Sequence, residues 1–318
     1  MENFQTMCKE GEASVDEEKR DEITSIMEGV EDEEYIQTLL DRELASGGIQ
    51  VQESRGDWIL QGRLSGIHYI LEKREFLGLR FQTAYLSAAY LDGFLERKPI
   101  AAEKPWTIML LSMACLSLAA KMEESTVIPL SEFRWKDFNF ESRHVVRMEL
   151  LVLNTLDWRM ALVTPLEFIH FFVKKLYGNS PRNVVSRIVE LILHATTNEK
   201  IMCHKPSVIG ASATLVALDS GLTRHDLGLK ISPLTSSGVL EIEDCIACYD
   251  QIKGLELGNL KPNQEIKSPK SSPSCSYRVE GGDDTNSSAN LLYGPNRRSL
   301  EFKESDQIDD VPNKNQNQ

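Results

Sequence analysis

The sequence predicts an all-α protein built from two successive groups of helices, flanked by an acidic tail and a Ser/Pro/Asn-rich tail. Three observations carry this prediction. Apolar residues recur at helical spacing through most of residues 31–258. No stretch alternates apolar and polar residues over a useful strand length. Prolines, glycines and acidic first turns punctuate the chain at helix lengths.

The ends are read first. Residues 1–34 carry thirteen acids and three bases, and residues 261–318 carry nine acids and eight bases. Of the net charge of −13, the N-terminal segment holds −10 and the C-terminal segment −1, which leaves −2 between them. Residues 1–30 hold few large apolar residues, and 259–318 are rich in Ser, Asn and Pro. Neither can bury enough surface to offset the entropy of ordering, so both are expected to be disordered. The near-neutral core lacks the basic surface that backbone-driven nucleic-acid binding needs, so no direct nucleic-acid contact is expected.

Within the core, "DEEYIQTLLDREL" places acids at a helix start, where the dipole favours them. From Asp57, residues Leu60, Leu64, Ile67 and Leu71 repeat at helical spacing to residue 76. A second helix runs from Phe81 to Arg97 and stops before Pro99; a third begins near Pro105. This third helix has no charged residue from Trp106 to Ala120, then meets Lys121, Glu123 and Glu124. A helix apolar on every side must be surrounded by others. Fifteen uncharged residues span only about 22 Å, too short for a bilayer. "ESRHVVRMELLVLNTLDW" gives a further helix, with Val145, Met148, Val152 and Thr155 on one side. A second group follows at about 165–177, 181–198, 206–220 and 238–256. The expected organisation is therefore 1–30, 31–160, 161–258 and 259–318.

Enzymatic readings find little support. The chain has no Gly-x-Gly-x-x-Gly, Gly-Lys-Ser/Thr or His-Glu-x-x-His motif. Cys245 and Cys248 fall in a helical pattern, and adjacent Cys203 and His204 rarely suit one tetrahedral metal, so no cofactor or metal is expected. His170 and His194 lie among apolar helical residues and read as structural. Six scattered cysteines form no disulfide framework and suit a reducing compartment. The acidic start has no basic-then-apolar leader, so neither secretion nor membrane association is expected.

Three blocks, "GRLSGIHYILEKREFLGLRFQTAYLSAAYLDGFL", "LLSMACLSLAAKMEE" and "RMELLVLNTLDWRMALVTPLEFIHFF", resemble the cyclin box in order and spacing. With "DEEYIQTLLDRE" before the box, the chain is similar to plant D-type cyclins. The resemblance implies two cyclin-box subdomains, the second more divergent. It also implies a regulatory subunit that binds and activates a cyclin-dependent kinase, promoting the G1/S transition through phosphorylation of a retinoblastoma-related protein. On this resemblance Lys121 and Glu149 contact the kinase, and Arg63 with Asp92 braces the first subdomain through hydrogen bonds to loop backbone. A cyclin-fold adaptor that binds without activating stays open. A cyclin-fold transcription factor would want a basic core and a zinc ribbon.

The chain departs from the family pattern at several points. Tyr69 stands for the tryptophan of the first-helix motif and His68 for its aspartate, and Asp92-Gly93-Phe94 replaces Asp-Arg-Phe. Gly62 and Gly66 stand where bulky residues line a substrate-docking cleft, so docking of arginine-x-leucine peptides is expected to weaken or change. In "TMCKE", Thr6 replaces the leucine of the pocket-protein motif while Cys8 and Glu10 are in place. That change costs on the order of 1–2 kcal/mol of lost apolar burial. Ser268 and Ser272, each before proline, are candidate phosphorylation sites, and Arg297-Arg298-Ser299-Leu300 is a candidate nuclear or docking element. Expected partners are the kinase, a retinoblastoma-related protein and kinase inhibitor proteins; the expected location is the nucleus, with a cytoplasmic share.

Overall fold

The computed structural model describes residues 19–29, 33–46, 56–100, 106–133, 140–178, 182–235 and 240–259. Among them there are helices and no strands. In chain order these are α1 (19–27), α2 (Glu33–Ser46), α3 (Asp57–Leu77), α4 (Phe81–Arg97), α5 (Trp106–Glu123) and α6 (Ser142–Thr155). They continue as α7 (Ile169–Tyr177), α8 (Arg182–Ala195), α9 (Glu199–Met202), α10 (Pro206–Leu218), α11 (Arg224–Thr235) and α12 (Ile242–Asn259). Short 3-10 turns occupy Leu130–Phe133 and Pro165–Phe168.

Two central helices organise the two halves. Every residue of α5 from Ile108 to Ala120 is buried, enclosed by α3, α4 and α6. By length and composition α5 could cross a membrane, yet those helices cover its sides. In the second half α10 does the same work: Ser207 to Ala217 are all buried against α7, α8 and α12. Both central helices are rich in Ala and Ser, and α10 adds Gly210, which lets neighbouring backbones come close. A Cβ at Gly210 would lie 2.9 Å from the Pro165 carbonyl oxygen. Cys245 and Cys248 line the same core from α12, where burial pushes both thiols up to about 12.

Two stretches differ from the sequence reading. The disorder expected for 1–30 does not hold over 19–29, where α1 buries Ile23 and docks on the body of the protein. The Glu22 Oε1 accepts the Phe81 N–H at 2.7 Å, supplying a cap that α4 does not provide from its own sequence. One of the acids that suggest a tail, Glu22, instead serves a helix N-terminus. Helix α11 was absent from the expected set, because Gly228 and Pro233 interrupt its pattern. Its inward residues Leu227, Ile231 and Leu234 are nonetheless buried at i, i+4 and i+7. Thr223 and Asp226 cap it reciprocally: the Asp226 N–H donates to Thr223 Oγ1 at 3.3 Å and the Thr223 N–H to Asp226 Oδ2 at 3.3 Å.

Buried polar side chains at helix ends join the halves. Arg63 on α3 donates to Asp92 on α4 through Nε (2.5 Å) and Nη2 (2.7 Å). It also donates to the carbonyls of Thr196 (2.8 Å) and Thr197 (3.1 Å), just past the end of α8. The expected brace within the first subdomain is therefore a bolt between the two halves, because the loop backbone it reaches belongs to the second. Burial works against the guanidinium charge, but the charge and hydrogen bonds of Asp92 outweigh it and push the Arg63 pKa up. Glu43 on α2 makes a second tie: its carboxylate accepts the Ser207 N–H and hydroxyl, both at 2.7 Å, at the start of α10.

These two ties yield two predictions. Asp92→Ala strands the buried Arg63 charge and should lower unfolding free energy by about 3–5 kcal/mol. Pairing it with Arg63→Met should recover most of that loss in urea titrations. For Glu43, burial raises the pKa above its ordinary 4.5 against the opposing Ser207 hydrogen bonds. As pH rises through 4.5 the unfolded chain releases this proton first while the folded chain keeps it, so the wild type loses stability. The melting temperature of Glu43→Gln relative to wild type should accordingly climb with pH from 4.5 upward and level off above the folded pKa. A pH-independent difference would show that Glu43 is not the responsible group.

Candidate functional site

The charged end of α5 meets α6 at one ion pair. Helix α6 turns Val145, Met148 and Val152 inward, and Glu149, one residue past Met148, is carried to the seam with α5. Lys121 lies in the last turn of α5, where a cation suits the helix dipole. Its Nζ is 2.7 Å from both Glu149 carboxylate oxygens. The glutamate side chain is only 7% exposed and the lysine 46%. The buried acid thus fixes a lysine whose ammonium still faces solvent with hydrogen-bonding capacity to spare.

Around this pair the surface is apolar. On α6, Val146 and Leu150 are exposed and Leu153 is half-buried. With Glu149 they fall within a sector of about 100° at 3.6 residues per turn. Met122 and Val127, beside and beyond Lys121, are also exposed. Past the end of α6, Asp157 and Trp158 both adopt positive φ, 53° and 60°. Two successive non-glycine residues in the left-handed region are costly unless held. The Trp158 N–H bonds the Leu153 carbonyl at 2.9 Å, and its Nε1 donates to Asn154 Oδ1 at 3.2 Å. Arg97 holds the Thr155 carbonyl (3.0 Å) and the Asp157 carboxylate (3.1 Å). The result is an exposed indole folded back on the last turn of α6. Sequence reasoning missed this stripe, although Val146, Leu150 and Leu153 form a second apolar set beside the inward one.

The position of Lys121 is set by α4. Glu124 accepts the Arg80 N–H at 2.9 Å and the Thr83 hydroxyl at 2.5 Å, so the end of α5 caps the start of α4. Glu22 fills the next N–H in the same helix start. Glu123 and Glu22 both have pKa values raised by burial, with the Glu124 charge adding to each.

The remaining sequence-predicted residues separate clearly. Arg63 and Asp92 are brought together as described. Gly62 and Gly66 do not floor an open cleft. A Cβ at Gly62 would lie 2.4 Å from Ile108 Cδ1, and one at Gly66 would lie 2.2 Å from Ser112 Oγ. These glycines let α3 and α5 pack in direct contact. Tyr69 is fully buried and donates its hydroxyl to the Phe133 carbonyl, so it is not a cleft wall either. Where bulky residues are expected to line a docking cleft, these glycines instead admit direct helix contact. Thr6, Cys8, Glu10, Ser268 and Ser272 lie outside the described residues.

Comparison with known proteins agrees with this architecture. Residues 35–161 match the family model "Cyclin, N-terminal domain". Cyclin-D5-1 of Arabidopsis thaliana is 31% identical over 306 residues, covering 89% of this chain and 94% of the relative. Cyclin-D5-1 of Oryza sativa subsp. japonica is 39% identical over 199 residues, covering 61% of this chain. The chain spans about half the length of that rice relative, 54%, and 58% of rice Cyclin-D5-2. Among solved structures, a viral cyclin from herpesvirus saimiri superposes with a TM-score of 0.57 at 16% identity, covering 69% of this chain and 95% of that one, a likeness of fold. The chain belongs to the cyclin family, among the plant D-type cyclins.

Proposed function

We propose that this chain binds and activates the catalytic subunit of a cyclin-dependent kinase through the face formed by the end of α5 and the outer stripe of α6. One observation supports this above the others: Lys121 is held by the buried Glu149 carboxylate, on the same sector of α6 as exposed Val146 and Leu150, with exposed Trp158 just past the helix end. Such a surface suits a partner helix that offers an apolar side and an unsatisfied backbone end. The pair supplies orientation and the apolar residues supply contact area. In the mechanism that the family implies, docking moves the kinase's mobile helix inward. Its glutamate then pairs with the strand lysine and completes the ATP site.

The downstream reading is phosphorylation of a retinoblastoma-related protein at the G1/S transition, in the nucleus with a cytoplasmic share, with kinase inhibitor proteins as further partners. An adaptor that binds the kinase without activating it is the second reading, and the closed α3–α5 contact at Gly62 and Gly66 favours it. A partner lacking the peptide cleft has less means of presenting substrates.

Truncation of the exposed apolar residues separates binding from folding. Leu150→Ala and Trp158→Ala should keep the melting temperature near wild type, yet weaken kinase binding at least tenfold. Lys121→Ala and Glu149→Ala should each lose about 2–5 kcal/mol of binding, with some loss of stability because one charge loses its partner. Lys174→Ala, on the second half, should bind normally. Co-precipitation with the kinase and phosphorylation of a retinoblastoma-related substrate would be measured on the same samples. Unchanged affinity in the Leu150 and Trp158 variants would reject the face; binding without activation by the wild type would select the adaptor.

A further inference from the structure

We propose that Ser25 is a phosphorylation site for an acidic-directed protein kinase, and that its phosphate unfastens α1 from the body of the protein. Helix α1 has nine residues, too few to hold a helix in water without tertiary support. Its support is spread over both halves: Ile26 and Met27 pack partly buried on the core, and Glu22 lies 4.0 Å from Arg74. Ile23 is buried, Glu22 caps α4, and Lys19 pairs with Glu75 on α3 at 3.2 Å. Thr24 accepts a hydrogen bond from Arg182 at the start of α8. Just beyond the helix, Gly29 lies so close to α7 that a Cβ there would sit 2.9 Å from His170 Cβ. A nine-residue helix in which Ile23 is the one fully buried side chain opens at lower free energy than the enclosed core helices, as a kinase needs in order to take an extended substrate.

Ser25 sits on the outer side of this helix. It is exposed, whereas the neighbouring Thr24 hydroxyl is occupied by Arg182 and by its own bond to the Arg20 carbonyl at 2.7 Å. Glu28 follows Ser25 by three residues, and Glu31, Asp32, Glu33 and Glu34 continue the acidic run. That pattern complements a kinase with a basic substrate groove. In the reaction the Ser25 Oγ attacks the γ-phosphorus of MgATP and forms a new P–O bond. The bond to the β–γ bridging oxygen breaks, ADP leaves, and the hydroxyl proton passes to the kinase's base.

The product is badly placed for a docked helix. Asp21 is four residues before Ser25, Glu22 three before and Glu28 three after, so all three carboxylates are its helical neighbours. A group of about −1.5 to −2 charge there repels each of them. The Glu22 pKa is already raised by burial, and added negative charge works further against the carboxylate that caps α4. The lost cap and the repulsion act together on the same nine residues. None of this depends on the kinase-docking face proposed above.

The test uses the full chain with MgATP and an acidic-directed serine/threonine kinase, followed by phosphopeptide mapping and hydrogen exchange. One phosphate should map to Ser25 and vanish in Ser25→Ala. Exchange of the α1 amides should quicken on the order of five- to tenfold, with α5 unchanged, and Ser25→Glu should give a smaller effect in the same direction. Failure to label Ser25 in the folded chain, even where a peptide of residues 19–34 is labelled, overturns the proposal. So does a phosphate on Ser25 that leaves α1 protection unchanged.

Discussion

Thirteen consecutive buried residues in α5 confine the charged side chains of that helix to its last turn. This constraint fixes much else. Because α5 is enclosed by α3, α4 and α6, its C-terminal turn has little freedom of position. Whatever sits there is presented on rigid elements rather than on a loop. Glu124 strengthens the arrangement by capping α4 from the end of α5, so the start of one helix cannot move without the end of the other. Lys121 is therefore oriented twice, by Glu149 beside it and by the anchored turn that carries it.

The polar ties obey a common rule. Arg63 takes carbonyls just past the end of α8, Glu43 takes N–H and hydroxyl groups at the start of α10, and Glu22 and Glu124 take the first N–H groups of α4. Each reaches a helix end whose backbone groups lack intrahelical partners, and each charge has the sign that the helix dipole favours. The apolar core sets how tightly the helices approach, while these few charged side chains set which end meets which.

What was legible in the sequence follows the same division. The uncharged run in α5 and the inward residues of α6 are periodic patterns, and periodicity reports burial directly. Lys121 and Glu149 stood out as charges beside apolar runs, although the bond between them needs the three-dimensional crossing of α5 and α6. Other features were hidden. Helix α1 is polar in composition, and its Glu22 serves another helix; composition cannot tell a capping acid from a solvated one. Helix α11 hides behind Gly228 and Pro233, although the Thr223-x-x-Asp226 cap marks its start. The double left-handed turn at Asp157 and Trp158 has no glycine to announce it. It persists because Arg97, sixty residues earlier in the chain, holds the adjacent carbonyl and carboxylate.

Gly62 and Gly66 show how one substitution pattern can read in opposite ways. As a sequence feature, loss of bulk at an expected cleft suggests an emptier cleft. In the structure the space is taken by Ile108 and Ser112, because α3 and α5 move together where no Cβ holds them apart. The same closeness buries Tyr69, whose hydroxyl is spent on the Phe133 carbonyl. Yet these changes lie on the side of α5 that faces α3, while Lys121 and Glu149 sit where α5 meets α6. An enclosed helix has separate neighbours on its separate sides, so one contact can close while the other stays open. The first-helix departures therefore alter the α3–α5 contact, and leave intact the exposed face on which the kinase reading rests.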